Sequence, residues 1–403
     1  MLLSFLPVLA STQVKTGIEV LREDNFKQLE GKRVGLITNP TGVDRNLKST
    51  IDILFEAPNV KLVALYSPEH GIRGDVVAGG SVDDTVDPIT RLPVFSLYGK
   101  NRKPSPGMLK GIDVLVYDIQ DIGCRSYTFI STMGLAMEAA AENGIAFVVL
   151  DRPNPLGGEI FEGSPNVEPN MISFVSQFPI TYVHGFTVGE LAGFLNDEKL
   201  LKGGIRCNLT VIKMKGWKRE MNFGATGLPW VISSPHIPHW ETAYHYVSSG
   251  ILGELQTVNI GVGYTLPFEL FAAEWIDAEK LAANLNNLKL AGVRFRPIHY
   301  KPYYGEQKDL YLHGVQTYIT DYRKAPLTLI QFYVLQECHK LYPNKNVFEL
   351  CDPSRLGMFD KVCGTSQIRK AFTKNFRVDS IRDSWNKGVD AFKEKAKKYF
   401  LYK

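Results

Sequence analysis

A chain of 403 residues that is 44% hydrophobic and 22% charged has the make-up of a globular protein, long enough for two or three well-buried cores. Its net charge of +4 is small for that length, and no Lys/Arg block precedes Lys393, Lys395, Lys397 and Lys398, which read as the solvated face of a helix. Nucleic-acid binding is therefore not favoured, and no run approaches the roughly 20 apolar residues of a membrane span.

Residues 1–10 are apolar and end on Ala10, with Ser11 and Thr12 following. They resemble the core and cleavage site of a secretory signal, although a basic leader is missing. Segment 1–15 is read as that signal, and the protein as exported, to the periplasm or outside the cell. Apolar runs at 34–37, 62–66, 94–98, 114–117 and 147–150 each stop at a polar stretch punctuated by Gly or Pro. Such runs, separated by helical patterns, predict buried parallel strands. Between them, Leu47, Ile51, Leu54 and Phe55 mark one helix face, closed by Pro58, and Ile130, Met133, Met137 and Ala140 a second, closed by Asn143-Gly144. Thr187-Val-Gly-Glu190 is a capping box, with Phe186 and Leu191 placed for a hydrophobic staple, and a strand at 209–214 closes the sheet. Residues 16–221 thus predict a Rossmann-like, doubly wound α/β domain with a mostly parallel sheet.

From 222 to 275 the chain is rich in Gly, Pro and aromatics and shows little helical period. Strands at 293–297 and 314–320, a helix at 327–341 and a terminal amphipathic helix on Ile381, Trp385, Val389 and Phe392 follow. Residues 222–403 predict a smaller α+β domain that completes a cleft. The five cysteines, Cys124, Cys207, Cys338, Cys351 and Cys363, contain no C-x-x-C pair and argue against a disulfide scaffold. Cys351 and Cys363 either pair or stay as buried thiols.

In an open α/β sheet the ligand sits outside the carboxyl ends of the strands. That rule puts Glu69, His70, Asp118, Asp121, Asp151 and Asn154 on one rim. Glu69 in Ser67-Pro-Glu-His-Gly-Ile-Arg-Gly74 stands on a short, restricted loop, either as a general acid or base or as a helix-capping carboxylate. Asp118-Ile-Gln-Asp-Ile-Gly-Cys-Arg125 offers a partner, since glycosidic cleavage usually needs two carboxyl groups. Arg125 equally suits a loop-fixing ion pair. Asp151-Arg-Pro-Asn-Pro-Leu-Gly-Gly158 is a rigid turn that presents Asp151 and Asn154 to ligand hydroxyls, or simply satisfies its own backbone. His236, His239, Glu241 and His245 crowd together without an H-E-x-x-H spacing, and two prolines argue against a helix there. Trp230, Trp240, Tyr244 and Tyr264 form either a sugar platform or domain-interface core. Gly261-Val-Gly263 is no dinucleotide fingerprint, and Walker and G-x-S-x-G motifs are absent from the sequence. Neither a metal nor any other cofactor is expected.

Several motifs, in order, carry a family resemblance: Val34-Gly-Leu-Ile-Thr-Asn-Pro-Thr-Gly42, Ser67-Pro-Glu-His-Gly71, Asp118-Ile-Gln-Asp121, Asp151-Arg-Pro-Asn-Pro-Leu-Gly-Gly158, His184-Gly185 with Gly189-Glu-Leu191, and Pro267-Phe-Glu269. Together they resemble the exo-β-N-acetylmuramidase family of bacterial cell-wall hydrolases, over residues 16–403. The resemblance implies release of terminal N-acetylmuramic acid from the non-reducing ends of peptidoglycan fragments, with muropeptides as partners and Glu69 as the leading catalytic carboxyl. Asp118 and Asp121 are candidates for the second. The substrate-binding candidates are Asn39, His70, Arg73, Gln120, Arg125, Asp151, Asn154, His184, His236, Tyr264 and Glu269. Two positions depart from the family pattern: Gly261-Val-Gly-Tyr-Thr265 lacks the Arg of Gly-Arg-Gly-Thr, and Glu274-Trp275 stands where Pro-Trp is common. A sugar-binding protein without turnover and a metal-dependent amidase are the competing readings.

Overall fold

The computed structural model describes residues 13–72, 84–305 and 307–403. Most of the expected signal segment, and Arg73, lie outside the described residues. The strands are β1 (Arg33–Thr38), β2 (Lys61–Ser67), β3 (Thr85–Val86), β4 (Pro93–Ser96), β5 (Val114–Asp118), β6 (Ala146–Leu150), β7 (Asn208–Ile212), β8 (Leu270–Ala273), β9 (Val293–Tyr300) and β10 (Leu312–Ile319). The helices are α1 (Gly17–Glu23), α2 (Thr50–Phe55), α3 (Phe129–Glu142), α4 (Val188–Asp197), α5 (Thr242–Gly253), α6 (Ala278–Asn287), α7 (Ile330–Leu341), α8 (Val347–Leu350), α9 (Pro353–Cys363), α10 (Gln367–Phe372), α11 (Arg382–Trp385) and α12 (Val389–Ala396).

A seven-stranded sheet in the order β3-β4-β2-β1-β5-β6-β7 forms the first half, parallel except for the edge strand β3. The chain winds outward from β1 in one direction and then from β5 in the other. The β1/β5 boundary is therefore a switch point, where a crevice opens at the carboxyl ends. Alternation along each strand feeds two cores. Leu36, Val116 and Val148 pack with Ile18, Ile51 and Leu54 on one face. Ile37, Tyr117 and Val149 pack with Ile130, Met133 and Leu191 on the other. Burial on both faces is why these strands read as unbroken apolar runs.

The second half carries an antiparallel sheet, β8-β10-β9, flanked by helices. Its core is continuous with one face of the first sheet, since Phe271, Phe332 and Trp385 belong to the same cluster as Tyr117 and Phe186. Arg125 bridges the halves: Nη1 donates to the carbonyls of Ser164 and Ile180, both at 2.8 Å, and Nη2 to those of Val362 (3.1 Å) and Cys363 (3.0 Å). Residues 400–402 return to the first half. Arg219 stacks 3.3 Å over the Phe400 ring and pairs with Glu190 at 2.7 Å, Leu401 N–H donates to Glu190, and the Tyr402 phenol donates to Asp151.

Three local expectations need correction. Helix α2 is only six residues long, capped by Ser49, so Leu47 (φ +64°, 58% exposed) precedes it and Phe55 (48% exposed) turns outward. Helix α5 occupies a stretch that lacks helical period in the sequence. Nine of its twelve residues are buried, so no polar face marks it, and Ser248 and Ser249 satisfy their hydroxyls on the His245 carbonyl. The terminal helix is two, α11 and α12, broken at Gly388 (φ +84°), although Ile381, Trp385, Val389 and Phe392 are all buried. All five cysteines are buried free thiols, Cys351 and Cys363 included.

Candidate active site

Glu69 stands just past the end of β2. His70 (φ +74°) and Gly71 (φ +82°) are both left-handed, and Gly71 N–H closes the turn on the Pro68 carbonyl at 3.2 Å. A left-handed non-glycine residue costs conformational energy and is held by its surroundings. The His70 ring meets Phe129 edge-on at 6.4 Å. Glu69 is 9% exposed, and its Oε2 accepts a 2.5 Å hydrogen bond from Thr128, the residue before α3. Burial and the Glu69 carboxylate, to which it is hydrogen-bonded, both hold the Tyr98 phenol in its protonated form. Tyr127, packed on Phe129 at 4.9 Å, shares a 2.8 Å hydrogen bond with Ser233 from the second half. His236, on the same segment, stacks on Tyr304 and shares a 2.9 Å hydrogen bond with its hydroxyl. Burial, and then the charge of His70, lower the His236 pKa and favour a neutral ring. The Glu69–His70 turn thus lies close to the second half, with His70 near enough to His236 to act on its charge and Tyr127 bonded to Ser233.

Beside it, at the β1 and β5 ends, three buried polar atoms have no hydrogen-bond partner among the described residues: Asn39 Nδ2, Asp121 Oδ1 and His184 Nε2. The remaining atoms of these groups are fixed. Asn39 Oδ1 accepts from Thr41 N–H at 3.0 Å, and Asp121 Oδ2 from Gly123 N–H at 2.6 Å. His184 Nδ1 accepts the Phe186 N–H at 3.2 Å, so the neutral ring carries its proton on Nε2, 3.4 Å from Asp121 Oδ2. Gln120 ties the loop down by donating to the Asp121 and Pro153 carbonyls at 2.8 and 2.7 Å.

Other sequence candidates are absorbed by the scaffold. Asp118 is fully buried, held by Arg152 Nε and Nη2 at 2.5 and 2.9 Å and by the Thr50 hydroxyl at 2.5 Å. Asp151 accepts from the N–H groups of Arg152 and Gly189 and from the hydroxyls of Thr187 and Tyr402. Asn154 bonds Leu156 N–H and the Phe186 carbonyl, and Arg125 is the buried clamp already described. Glu269 lies just before β8, half-buried, and accepts from Gln316 at 3.2 Å; burial first, and Glu241 as well, raise its pKa. Tyr264 packs on Tyr300 and Tyr303 at 4.7 and 5.4 Å. Trp230 packs on Phe223, and Trp240 and Tyr244 on Tyr322. His245 lies on α5, where burial lowers its pKa to about 4. Among the described residues no three His, Cys, Asp or Glu side chains group closely enough to hold a metal ion. Sequence reasoning missed Tyr98, Tyr127, Thr128, Ser233 and Tyr304. Only Tyr98, at the end of an apolar run, carried a signal.

Burial pushes the Asp151 carboxyl up to about 7 against the pull of its four donors. A raised folded-state pKa gives stability that is fully present below the unfolded value of 3.8 and lost as pH rises through about 7. Denaturation midpoints at acidic and alkaline pH should therefore fall less for Asp151→Asn than for the unmodified chain. Equal falls would place the carboxyl's ionisation elsewhere.

Models of the exo-β-N-acetylmuramidase NamZ match nearly the whole chain, the N-terminal model at residues 34–241 and the C-terminal one at 244–402. The chain is 46% identical over 390 residues to the peptidoglycan β-N-acetylmuramidase NamZ of Bacillus subtilis (strain 168), covering 97% of this chain and 92% of that one. Two crystal structures of DUF1343 family proteins from Bacteroides fragilis NCTC 9343 superpose on it. One is 61% identical with a TM-score of 0.93, the other 30% identical with a TM-score of 0.76, each pairing 97% of this chain with 99% of that one. Fold, motifs and matched length agree, and the chain belongs to the exo-β-N-acetylmuramidase NamZ family.

Proposed function

We propose that this protein is a glycoside hydrolase that releases terminal N-acetylmuramic acid from the non-reducing ends of peptidoglycan fragments, with Glu69 as the proton-transferring carboxyl. The observation that carries this is the placement of Glu69: a largely buried carboxyl on a strained turn just past the end of β2, held by Thr128. Membership of a family whose Bacillus relative is named for this activity supplies the substrate class. Glu69 protonates the glycosidic oxygen as the bond breaks, and Thr128 and Tyr98 hold the carboxyl in one orientation. Asp121 is the second carboxyl in this reading, with one oxygen anchored by Gly123 and the other buried without a hydrogen-bond partner among the described residues. Asn39 and His184 each keep a buried donor without a hydrogen-bond partner among the described residues beside it, and in this reading these donors set the polarity around Asp121.

Asp118, Asp151, Asn154 and Arg125 act in this reading by holding the strand-end loops, not by touching the sugar. Among the described residues no helix is long and apolar enough to cross a membrane. The apolar segment 1–10 supports an exported location, where peptidoglycan lies. The test is digestion of a peptide-free glycan with product analysis. Stepwise release of N-acetylmuramic acid is expected; internal cleavage, peptide release or binding without turnover would overturn the assignment.

A further inference from the structure

N-acetylmuramic acid differs from N-acetylglucosamine by a lactyl ether, whose carboxylate is the sugar's one charge at neutral pH. The ether hangs from the third ring carbon. Only the carbon bearing the N-acetyl group separates that position from the carbon whose bond is cleaved. An enzyme that selects this sugar by its charge needs a cation within reach of its proton donor. Arg125 and Arg152 do not serve, since both are buried and are bound to carbonyls and to Asp118.

Arg102 lies in the loop after β4, and its guanidinium sits over the Phe174 ring, 4.6 Å from the centroid. Phe174 is buried and meets the Tyr98 ring at 6.1 Å, and the Tyr98 phenol is in turn hydrogen-bonded to Glu69. The platform is also tied to the same helix end that holds Glu69. Ser131, in the first turn of α3, donates to the Phe174 carbonyl at 2.7 Å, and Thr128, three residues earlier and itself in helical conformation, donates to Glu69. Residues three apart on a helix are surface neighbours, with roughly 5–6 Å between their Cβ atoms. Two hydroxyls on one turn therefore hold Glu69 and Phe174 side by side. Backbone hydrogen bonds between Ser173 and Ser176, at 2.9 and 3.4 Å, close the turn that carries Phe174. Arg102 is near enough for its charge to reach the Tyr98 phenol, where it works against burial and the Glu69 carboxylate. Arg102 is exposed, and among the described residues no carboxylate pairs with it. A guanidinium lying face-down on an aromatic ring keeps its N–H edge for a planar anion, which it can grip with two parallel hydrogen bonds.

We infer that Arg102, seated on Phe174 beside Glu69, is the specificity residue that takes the lactyl carboxylate of the terminal N-acetylmuramic acid. This rests on the glycosidase reading above and names the group that makes it selective. It ties recognition to chemistry, because the platform under the cation and the carboxyl that gives the proton share one turn of α3.

Arg102→Gln, Arg102→Lys and Arg102→Glu are compared with the unmodified chain on a chromogenic N-acetylmuramide and on its lactamide, in which the carboxylate is a neutral primary amide. A thermal melt accompanies each, and calorimetry measures binding of free N-acetylmuramic acid. The unmodified chain is expected to prefer the acid. In Arg102→Gln that preference, the ratio of kcat/KM for acid over amide, should fall about tenfold or more, mainly through KM. Arg102→Lys keeps the charge without the fork and should keep part of the preference, while Arg102→Glu should reverse it. No preference in the unmodified chain, or an unchanged ratio in a folded Arg102→Gln, overturns the assignment and leaves Arg102 a surface cation. If the unmodified chain cleaves neither substrate, the glycosidase reading fails and binding decides the role of Arg102. Weaker binding of N-acetylmuramic acid by Arg102→Gln then supports that role, and equal binding overturns it. If the unmodified chain does not bind the acid at all, both fail.

Discussion

Glu69→Gln should lower turnover of a chromogenic N-acetylmuramide by about 10²–10⁴-fold while leaving the protein folded. Glutamine keeps the side-chain volume and still offers an oxygen to the Thr128 hydroxyl, which now donates to the carboxylate at 2.5 Å. It cannot deliver a proton to a leaving oxygen. The residue lies on a turn outside the strands, so a thermal melt should move little. Ligand binding should survive, because glutamine keeps the size and hydrogen-bonding capacity of the side chain. Near-normal turnover would pass the proton-transfer role to Asp121 or Glu269. Activity lost together with early melting would make Glu69 a structural carboxylate.

Asp118→Ala has the opposite signature, a loss of roughly 3–5 kcal/mol of stability. The substitution leaves the Arg152 guanidinium, itself 5% exposed, buried with the Val43 carbonyl, at 2.9 Å, as its one remaining partner among the described residues. It also strands the Thr50 hydroxyl at the start of α2. Removing one member of a buried pair costs more than the pair itself contributes, since the survivor keeps its desolvation penalty. Asp118→Ala with Arg152→Ala should therefore be more stable than the sum of the two single losses predicts. Urea denaturation of the singles and the double, run as a cycle, measures this. An Asp118→Ala protein as stable as the original but inactive would return Asp118 to the chemistry.

The strands of the first sheet were legible because burial on both faces wrote them as apolar runs, and the rule on strand ends then pointed to the carboxyl edge, just past which Glu69 stands. The rule does not say which way a side chain points at that edge. Asp118 follows Val114 and Val116 in the alternation along β5, so it shares their face, toward α2 and Thr50. Asp121 lies beyond the strand, in the loop that reaches the crevice. On the opposite side only His236 was legible. Ser233, His236 and Tyr304 come from irregular segments whose meeting depends on the packing of the two halves, and no local pattern encodes that. Helix α5 was hidden for a related reason, since a helix buried nearly all round has no polar stripe to reveal it.

The return of residues 400–402 to the first sheet sets a timetable for the newborn chain. Tyr402 and Asp151 are 251 residues apart. At a synthesis rate of about 5–20 residues per second, that separation lasts on the order of 13–50 s. Throughout that interval Asp151 has been made but one of its four donors has not, and Glu190 waits for the Leu401 amide. The first half thus leaves the ribosome unfinished, with the end of the sheet open to water. Maturation becomes a late, long-range closure instead of a domain-by-domain progression, and the interval before it is when a chaperone has most to bind.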